Sequence, residues 1–322
     1  MQKSKERLIS FFDVVLTAYT YGNKLDLPPF QLLTFMRQIE TWYRAGTCPK
    51  LGRNTAETIY LADISIQSNG KRVDLLINRS DRDASDTVYS NPQNNAVRSF
   101  PKNAGEGNDF SAHVVINLQP QGSTYVTALE VSPGLSSTKI ARFMNYLIRH
   151  CVQENKAAFR VLHPDGSTDA AGVPRKVTAY HKVEMRGHPS LDLIQSINGG
   201  VLESIELIDK RKRNLNWDTN GNTKEIRRTV MLRVGPKANA KNMSRIREAA
   251  TLAVARHYGE ARVKFKGPNG VPGTVTLETD TMQLAQDSLY VKKEKISGFS
   301  SLLESSSQRL NQEIVGKMAR LL

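Results

Sequence analysis

The run TIYLADISIQSNGKRVDLLINRS, residues 58–80, is the strongest folding constraint in the chain. Two segments rich in β-branched residues flank Asn69-Gly70, a dipeptide suited to the positive φ angles of a tight hairpin turn. A second strand pair follows at SAHVVINL and YVTALEV. An amphipathic helix is then expected from about Ser137 to Val152, its apolar face formed by Ile140, Phe143, Met144, Leu147 and Ile148.

Other segments of the first half read as helix. Leu8, Phe11, Phe12, Val15 and Leu16 recur at helical spacing up to a stop near Gly22. Asp13 interrupts this apolar run, so an amphipathic first helix is expected rather than a signal peptide. Pro28 and Pro29 can open a second helix carrying Leu32, Leu33, Phe35, Met36, Ile39 and Trp42, whose residue types point to the core. Between the two strand pairs, Ser80 to Gly107 is rich in Asn, Asp, Ser, Gly and Pro. It reads as a long polar loop, of the kind that is functional or mobile.

The turn-rich segment from His163 to Lys176 is the expected domain boundary. Beyond it the expected elements are a strand (176–186), a short helix (191–197), two strands (201–208 and 226–234), a longer helix (241–257) and a strand (261–266). That order matches the ferredoxin-like βαββαβ arrangement. An extra strand is expected at 274–278, and a terminal amphipathic helix over 299–322 presents Leu303, Leu310, Ile314, Met318 and Leu321. The expected fold class is therefore α+β. A helical and β-hairpin N-terminal domain (1–165) precedes a basic ferredoxin-like domain (174–290). The C-terminal helix (291–322) then either docks or oligomerises.

Charge is unevenly placed. The 322 residues carry a net +14, yet sixteen Lys and Arg lie between Lys210 and Lys266 against only Asp218, Glu225, Glu248 and Glu260. A local positive field of this kind attracts a polyanion by releasing its condensed counterions. Lys210, Arg211, Lys212, Arg213, Lys224, Arg227 and Arg228 surround an expected hairpin tip with its turn at Asn220-Gly221. Trp217 there is either a packing anchor or a stacking platform. Arg262, Lys264 and Lys266 share one face of their strand by period two, and Arg233 belongs to the third strand of the unit. These eleven cations are the expected phosphate-binding residues. That third strand, IRRTVMLRV, lacks the stacking aromatics of an RRM, so contacts to the phosphate backbone with little sequence selectivity are expected.

Chemistry beyond binding has weaker signals. Asp81, Asp83 and Asp86 miss the EF-hand pattern, because Pro92 stands where its glutamate belongs. Asp74 and Glu130, with a nearby lysine, are the carboxylates of an alternative Mg²⁺-dependent nuclease. Glu184, Lys182 and His181 form the nearest local triplet, in reverse order. His113, His150, His163, His181, His188 and His257 show no HExxH spacing, although two histidines could serve as acid and base in RNA cleavage. The Pro-Gly turn before Ser136 and Ser137 faintly resembles a helix-hairpin-helix DNA-binding turn, but ordinary helix capping explains those serines. No Walker A, GxGxxG or GxSxG motif occurs.

The expectation is a DNA- or RNA-binding protein, with no cofactor except Mg²⁺ under the nuclease alternative. No membrane partner is expected, since no apolar run reaches the roughly 18 residues of a span. The terminal helix offers a route to homo-oligomers, or to an assembly role with an acidic partner. Cys48 and Cys151, neither in a CxxC pair, point to a reducing cytoplasm. A setting in nucleic-acid processing or in defence against foreign nucleic acid extrapolates from the binding class alone.

Overall fold

The run ERLISFFDVVLTAY, expected as the first helix, forms a fourteen-residue strand, β1 (Glu6–Tyr19). Val14, Val15 and Leu16 are consecutive and all buried, so both faces of β1 are covered. Such a strand has no polar alternation, and its apolar spacing imitates that of a helix. In this computed structural model the described residues are 4–20, 26–52, 55–120, 124–210, 225, 227–235, 241–279, 282, 284 and 290–322. They form two compact units. One comprises Met1–Ser10, Val14–Met185 and Glu294–Leu322; the other comprises Phe11–Asp13 and Arg186–Lys293.

In the larger unit β2 (Asp26–Leu27) precedes α1 (Leu32–Arg44), β3 (Glu57–Ile66), β4 (Arg72–Asp81), β5 (Thr87–Asn91) and β6 (Ala96–Phe100). Then come β7 (Asn108–Asn117), β8 (Thr124–Glu130), α2 (Ser137–Glu154), β9 (Arg160–Leu162), β10 (Lys176–Thr178) and β11 (Tyr180–Gly187). The main sheet runs β11-β1-β8-β7-β4-β3. The Asn69-Gly70 hairpin forms between β3 and β4, with Ile66 opposite Val73 and Gly70 at φ +66°. Met36 and Ile39 of α1 meet Phe143, Met144 and Leu147 of α2 over Leu61, Leu75 and Ile77 of the sheet. Ser136 caps α2 by accepting the Lys139 N–H at 3.3 Å. The expected polar loop contains the exposed β5–β6 hairpin, in which Tyr89 stands opposite Arg98.

The smaller unit holds α3 (Leu191–Gly199), β12 (Val201–Asp209), β13 (Arg228–Arg233), α4 (Asn242–Ala255), β14 (Glu260–Lys266) and β15 (Pro272–Glu278). Here the ferredoxin-like expectation fails. The sheet order is β13-β12-β14-β15, with β12 paired directly and antiparallel to β14. A βαββαβ fold needs the strand before α3 in this same sheet, but β11 belongs to the main sheet beside β1. The described residues are also richer in strand than in helix, which overturns the expected helical N-terminal domain. Side chains explain where β11 goes. His181 is buried among Phe30, Phe35 and Phe159 at centroid distances of 5.3, 4.8 and 6.0 Å. The Asn145 amide of α2 also donates to the Val183 carbonyl and accepts the Val183 N–H, both at 2.7 Å.

After β16 (Lys293–Ser297), which pairs β1, helix forms only over α5 (Gln312–Ala319), not over 299–322. The preceding serine-rich segment spends its backbone groups on buried polar side chains of the larger unit's sheet. Ser307 O accepts from Asn78 Nδ2 at 3.0 Å, and Ser307 N donates to Ser111 Oγ at 3.1 Å. The Ser307 hydroxyl also accepts the Arg309 N–H at 3.2 Å, a local side-chain bond of the kind that competes with helix. Asn311 then caps α5, accepting from Glu313 N and Ile314 N at 3.0 and 3.1 Å. Ile314, Val315 and Met318 are buried in this packing, so that apolar face of α5 is covered within its own unit. Among the described residues no helix is long and apolar enough to cross a membrane.

The His181 cage carries a pH signature. Its Nε2 accepts the Phe30 N–H at 3.1 Å, and burial pushes the imidazole pKa down to about 4. In an unfolded chain the value is near 6.5. The stability contribution of neutral His181 is therefore complete above about pH 6.5 and is lost as pH falls toward 4. Urea unfolding at about pH 7 and about pH 4.5 is expected to show wild type losing roughly 2–3 kcal/mol more than His181→Leu on acidification.

Candidate nucleic-acid interface

The site is built by the parity of four strands. Leu193 and Ile197 of α3 and Met243, Ile246 and Ala253 of α4 share one core with Ile205, Leu207, Val263 and Val275. The alternate residues of each strand therefore point to the sheet's other face. Pairing aligns those residues in rows. In one row Arg233, Ser204, Lys264 and Thr274 stand side by side across β13, β12, β14 and β15. In the next row stand Met231, Glu206, Arg262 and Thr276.

Carboxylates decide which cations are available. Glu206 Oε1 lies 3.3 Å from Arg227 and its Oε2 lies 3.0 Å from Arg262. Lys266 pairs with Glu203 at 3.1 Å, Arg228 with Glu225 at 3.0 Å and Lys210 with Glu260 at 2.5 Å. Among the described residues, Arg233 and Lys264 are exposed and form no ion pair. Arg211, Lys212, Arg213 and Lys224, with Trp217 and the Asn220-Gly221 turn, lie outside the described residues. Arg227 and Arg262 share Glu206, so a cation just before β13 and one on β14 meet at a single carboxylate.

No protein family, curated protein or solved structure matches this chain. Its functional reading therefore rests on its own residues.

Glu203 and Glu206 were the residues missing from the sequence reading, which counted charge only from Lys210 onward. Their signal lies in VLESIELID, where both acids precede the cationic run by less than one strand. Only the antiparallel register places Glu206 opposite Arg262.

The carboxylates of the nuclease alternative face arginines. Arg72 holds both oxygens of Asp74, with Nε at 2.9 Å from Oδ1 and Nη2 at 3.0 Å from Oδ2. Burial nevertheless pushes the Asp74 carboxyl up, against the pull of Arg72. Glu130 is 2% exposed and sits between Arg7 Nε and His113 Nδ1, each 2.6 Å away. The backbone N–H of His113 also donates to Glu130 at 3.1 Å. His113 Nε2 accepts the Asn311 N–H at 3.1 Å, which leaves Nδ1 as the ring nitrogen that donates to Glu130. Burial alone would raise the Glu130 pKa; the His113 hydrogen bonds and Arg7 outweigh it and hold the carboxyl below its ordinary value. These groups bound a pocket of about 240 Å³ with serines 301, 306 and 307.

The remaining candidates stand apart. Asp81 pairs with Arg79, and Asp86 accepts the Lys102 N–H at 3.2 Å. Lys182 pairs with Glu184 at 2.6 Å. His163 and His188 pair with Asp165 and Asp13 at 2.5 and 3.0 Å, while His150 packs edge-on against Tyr146.

Glu130→Gln keeps the shape of this cluster but leaves the Arg7 charge buried without its partner. A loss of about 3–5 kcal/mol is expected, read as a lower urea midpoint at unchanged slope. The lowered pKa means that the wild-type contribution is complete above the ordinary carboxylate range and is lost as pH falls through the folded value. Glu130→Gln is expected to flatten that acid-side decline.

Proposed function

We propose that the chain binds the phosphate backbone of DNA or RNA through the open face of the sheet formed by β12 to β15, with little sequence selectivity. The row Arg233–Ser204–Lys264–Thr274 carries this reading. It sets two exposed cations, without acid partners among the described residues, about two strand spacings, roughly 10 Å, apart. Ser204 beside them and Thr274 at the end of the row supply hydroxyl donors of the kind used on phosphate oxygens. The flanking ion pairs are exposed enough to exchange one anion for another, so Arg262, Arg227 and Lys266 form a reserve of positive charge. Cytoplasmic residence belongs to the same proposal, supported by free cysteines at 48 and 151. Burial pushes those two thiols up to about 11 and about 12.

The nuclease alternative draws less support, because both oxygens of Asp74 and of Glu130 are engaged by neighbouring side chains. For homo-oligomers through the terminal helix, the burial of Ile314, Val315 and Met318 removes the residues that would have driven association.

A salt titration with labelled duplex DNA, single-stranded DNA and RNA tests the binding reading. The logarithm of affinity should fall linearly with the logarithm of salt concentration. Arg233→Ala/Lys264→Ala should reduce that slope by about 1.4–1.8. Glu206→Gln should do the reverse, strengthening binding and steepening the slope, because it releases Arg227 and Arg262 together. An unchanged slope in both variants would sink the sheet-face reading.

A further inference from the structure

The larger unit carries a second cationic surface that the sequence reading did not assemble. Helix α2 buries Ile140, Phe143, Met144, Leu147 and Ile148. Its outward side presents Arg142 and Arg149, seven residues and so about two helical turns, roughly 10 Å, apart. Tyr146 lies between them. The two Asn145–Val183 hydrogen bonds clamp this helix to β11, the end strand of the main sheet. Tyr180 and Lys182 of β11 thereby form the opposite wall of a groove of about 1060 Å³. None of the described residues lining it is Asp or Glu. Lys182 is paired with Glu184, but Arg142 and Arg149 are exposed and form no ion pair among the described residues.

We infer that this groove binds a single-stranded polynucleotide, with Arg142 and Arg149 on successive stretches of backbone and bases stacked on its tyrosines. The charge sets the class of ligand: two guanidinium forks unpaired among the described residues, with no carboxylate among the described lining, match a chain of phosphates. The rings set the strandedness. Tyr19 and Tyr180 line the groove as half-buried rings, 6.2 Å apart and tilted by 32°. Aromatic faces gain from nucleic acid only when base faces are free, as they are in a single strand. Dimensions set the length. The groove sits at the upper limit of small-ligand pockets, about 300–1,000 Å³, and the arginine spacing spans more than one phosphate group. This surface is distinct from the sheet face carrying Arg233 and Lys264, so either one can bind without the other.

The test uses the full chain and a fluorescein-labelled oligothymidylate of about 12 nucleotides, with a duplex of the same length and thymidine monophosphate as competitors. Arg142→Ala/Arg149→Ala changes exposed side chains only, and an unaltered melting temperature should confirm its fold. Its salt slope should drop by about 1.4 from that of wild type. Tyr180→Leu should weaken binding about tenfold or more, while Tyr180→Phe, which keeps the ring, should bind like wild type. An unchanged slope in Arg142→Ala/Arg149→Ala overturns the inference. So does thymidine monophosphate competing as well as the oligomer. Arg233→Ala/Lys264→Ala, run in parallel, separates the two proposals. A slope change there with none in the groove variant overturns the groove alone, and the opposite pattern overturns the sheet face alone.

Discussion

Glu130 lies at the end of β8, forms an ion pair with Arg7 of β1 and accepts hydrogen bonds from both the ring and backbone of His113 on β7. His113 in turn accepts from Asn311, the residue that caps α5, while Arg7 donates to the Glu304 carbonyl at 2.6 Å. One buried carboxylate thus connects three neighbouring strands with a segment nearly 200 residues further along the chain. Burying these charges is costly, and only full pairing offsets the desolvation. Each partner is therefore tied to the others. Without Glu130, Arg7 keeps a buried charge and His113 loses the acceptor that fixes its tautomer. The short α5 and the extended serine-rich segment before it follow from the same demand, since Ser307 and Asn311 complete hydrogen bonds that the sheet's polar face leaves open.

In the smaller unit, a comparable rule acts on exposed charge. Total charge sets the sign of the field; strand register sets which cations are paired. Glu206 takes two arginines out of the free set, whereas Ser204, two residues earlier, leaves its neighbours Arg233 and Lys264 open. The difference between a neutralised row and a cationic one is a single step of strand periodicity. Arg142 and Arg149 obey the helical version of this rule, where spacing of seven returns two side chains to one face and the intervening acids are missing.

Local elements were largely legible. The Asn69-Gly70 hairpin, the helix after Pro28-Pro29, the helix after Ser136 and the strands around residues 205, 230 and 263 all form where their periodicity places them. What the sequence did not reveal was partnership. The ferredoxin-like order of elements was present, but β11 is held by the His181 cage and by Asn145, contacts with residues 151 and 38 positions away. No local pattern encodes such distances. The first strand was misread because burial on both faces erased its alternation. The last helix was overextended because apolar residues at helical spacing outvoted the hydrogen-bonding demands of the serines. Among site residues, Arg233, Arg262, Lys264 and Lys266 were legible by parity. The acids that silence some of them needed a register, and the α2–β11 groove needed a tertiary contact.

Nucleic-acid contact at these two surfaces is the central functional claim, and photocrosslinking addresses it without any substitution. An oligonucleotide carrying 4-thiothymidine would be irradiated with the intact chain at low salt, and the crosslinked peptides mapped by mass spectrometry. The account expects attachment to concentrate in peptides containing Tyr146, Tyr180, Arg233 or Lys264, and to disappear at high salt. Crosslinks absent from all four, or spread evenly over exposed lysines such as Lys71, Lys156 and Lys176, would contradict it.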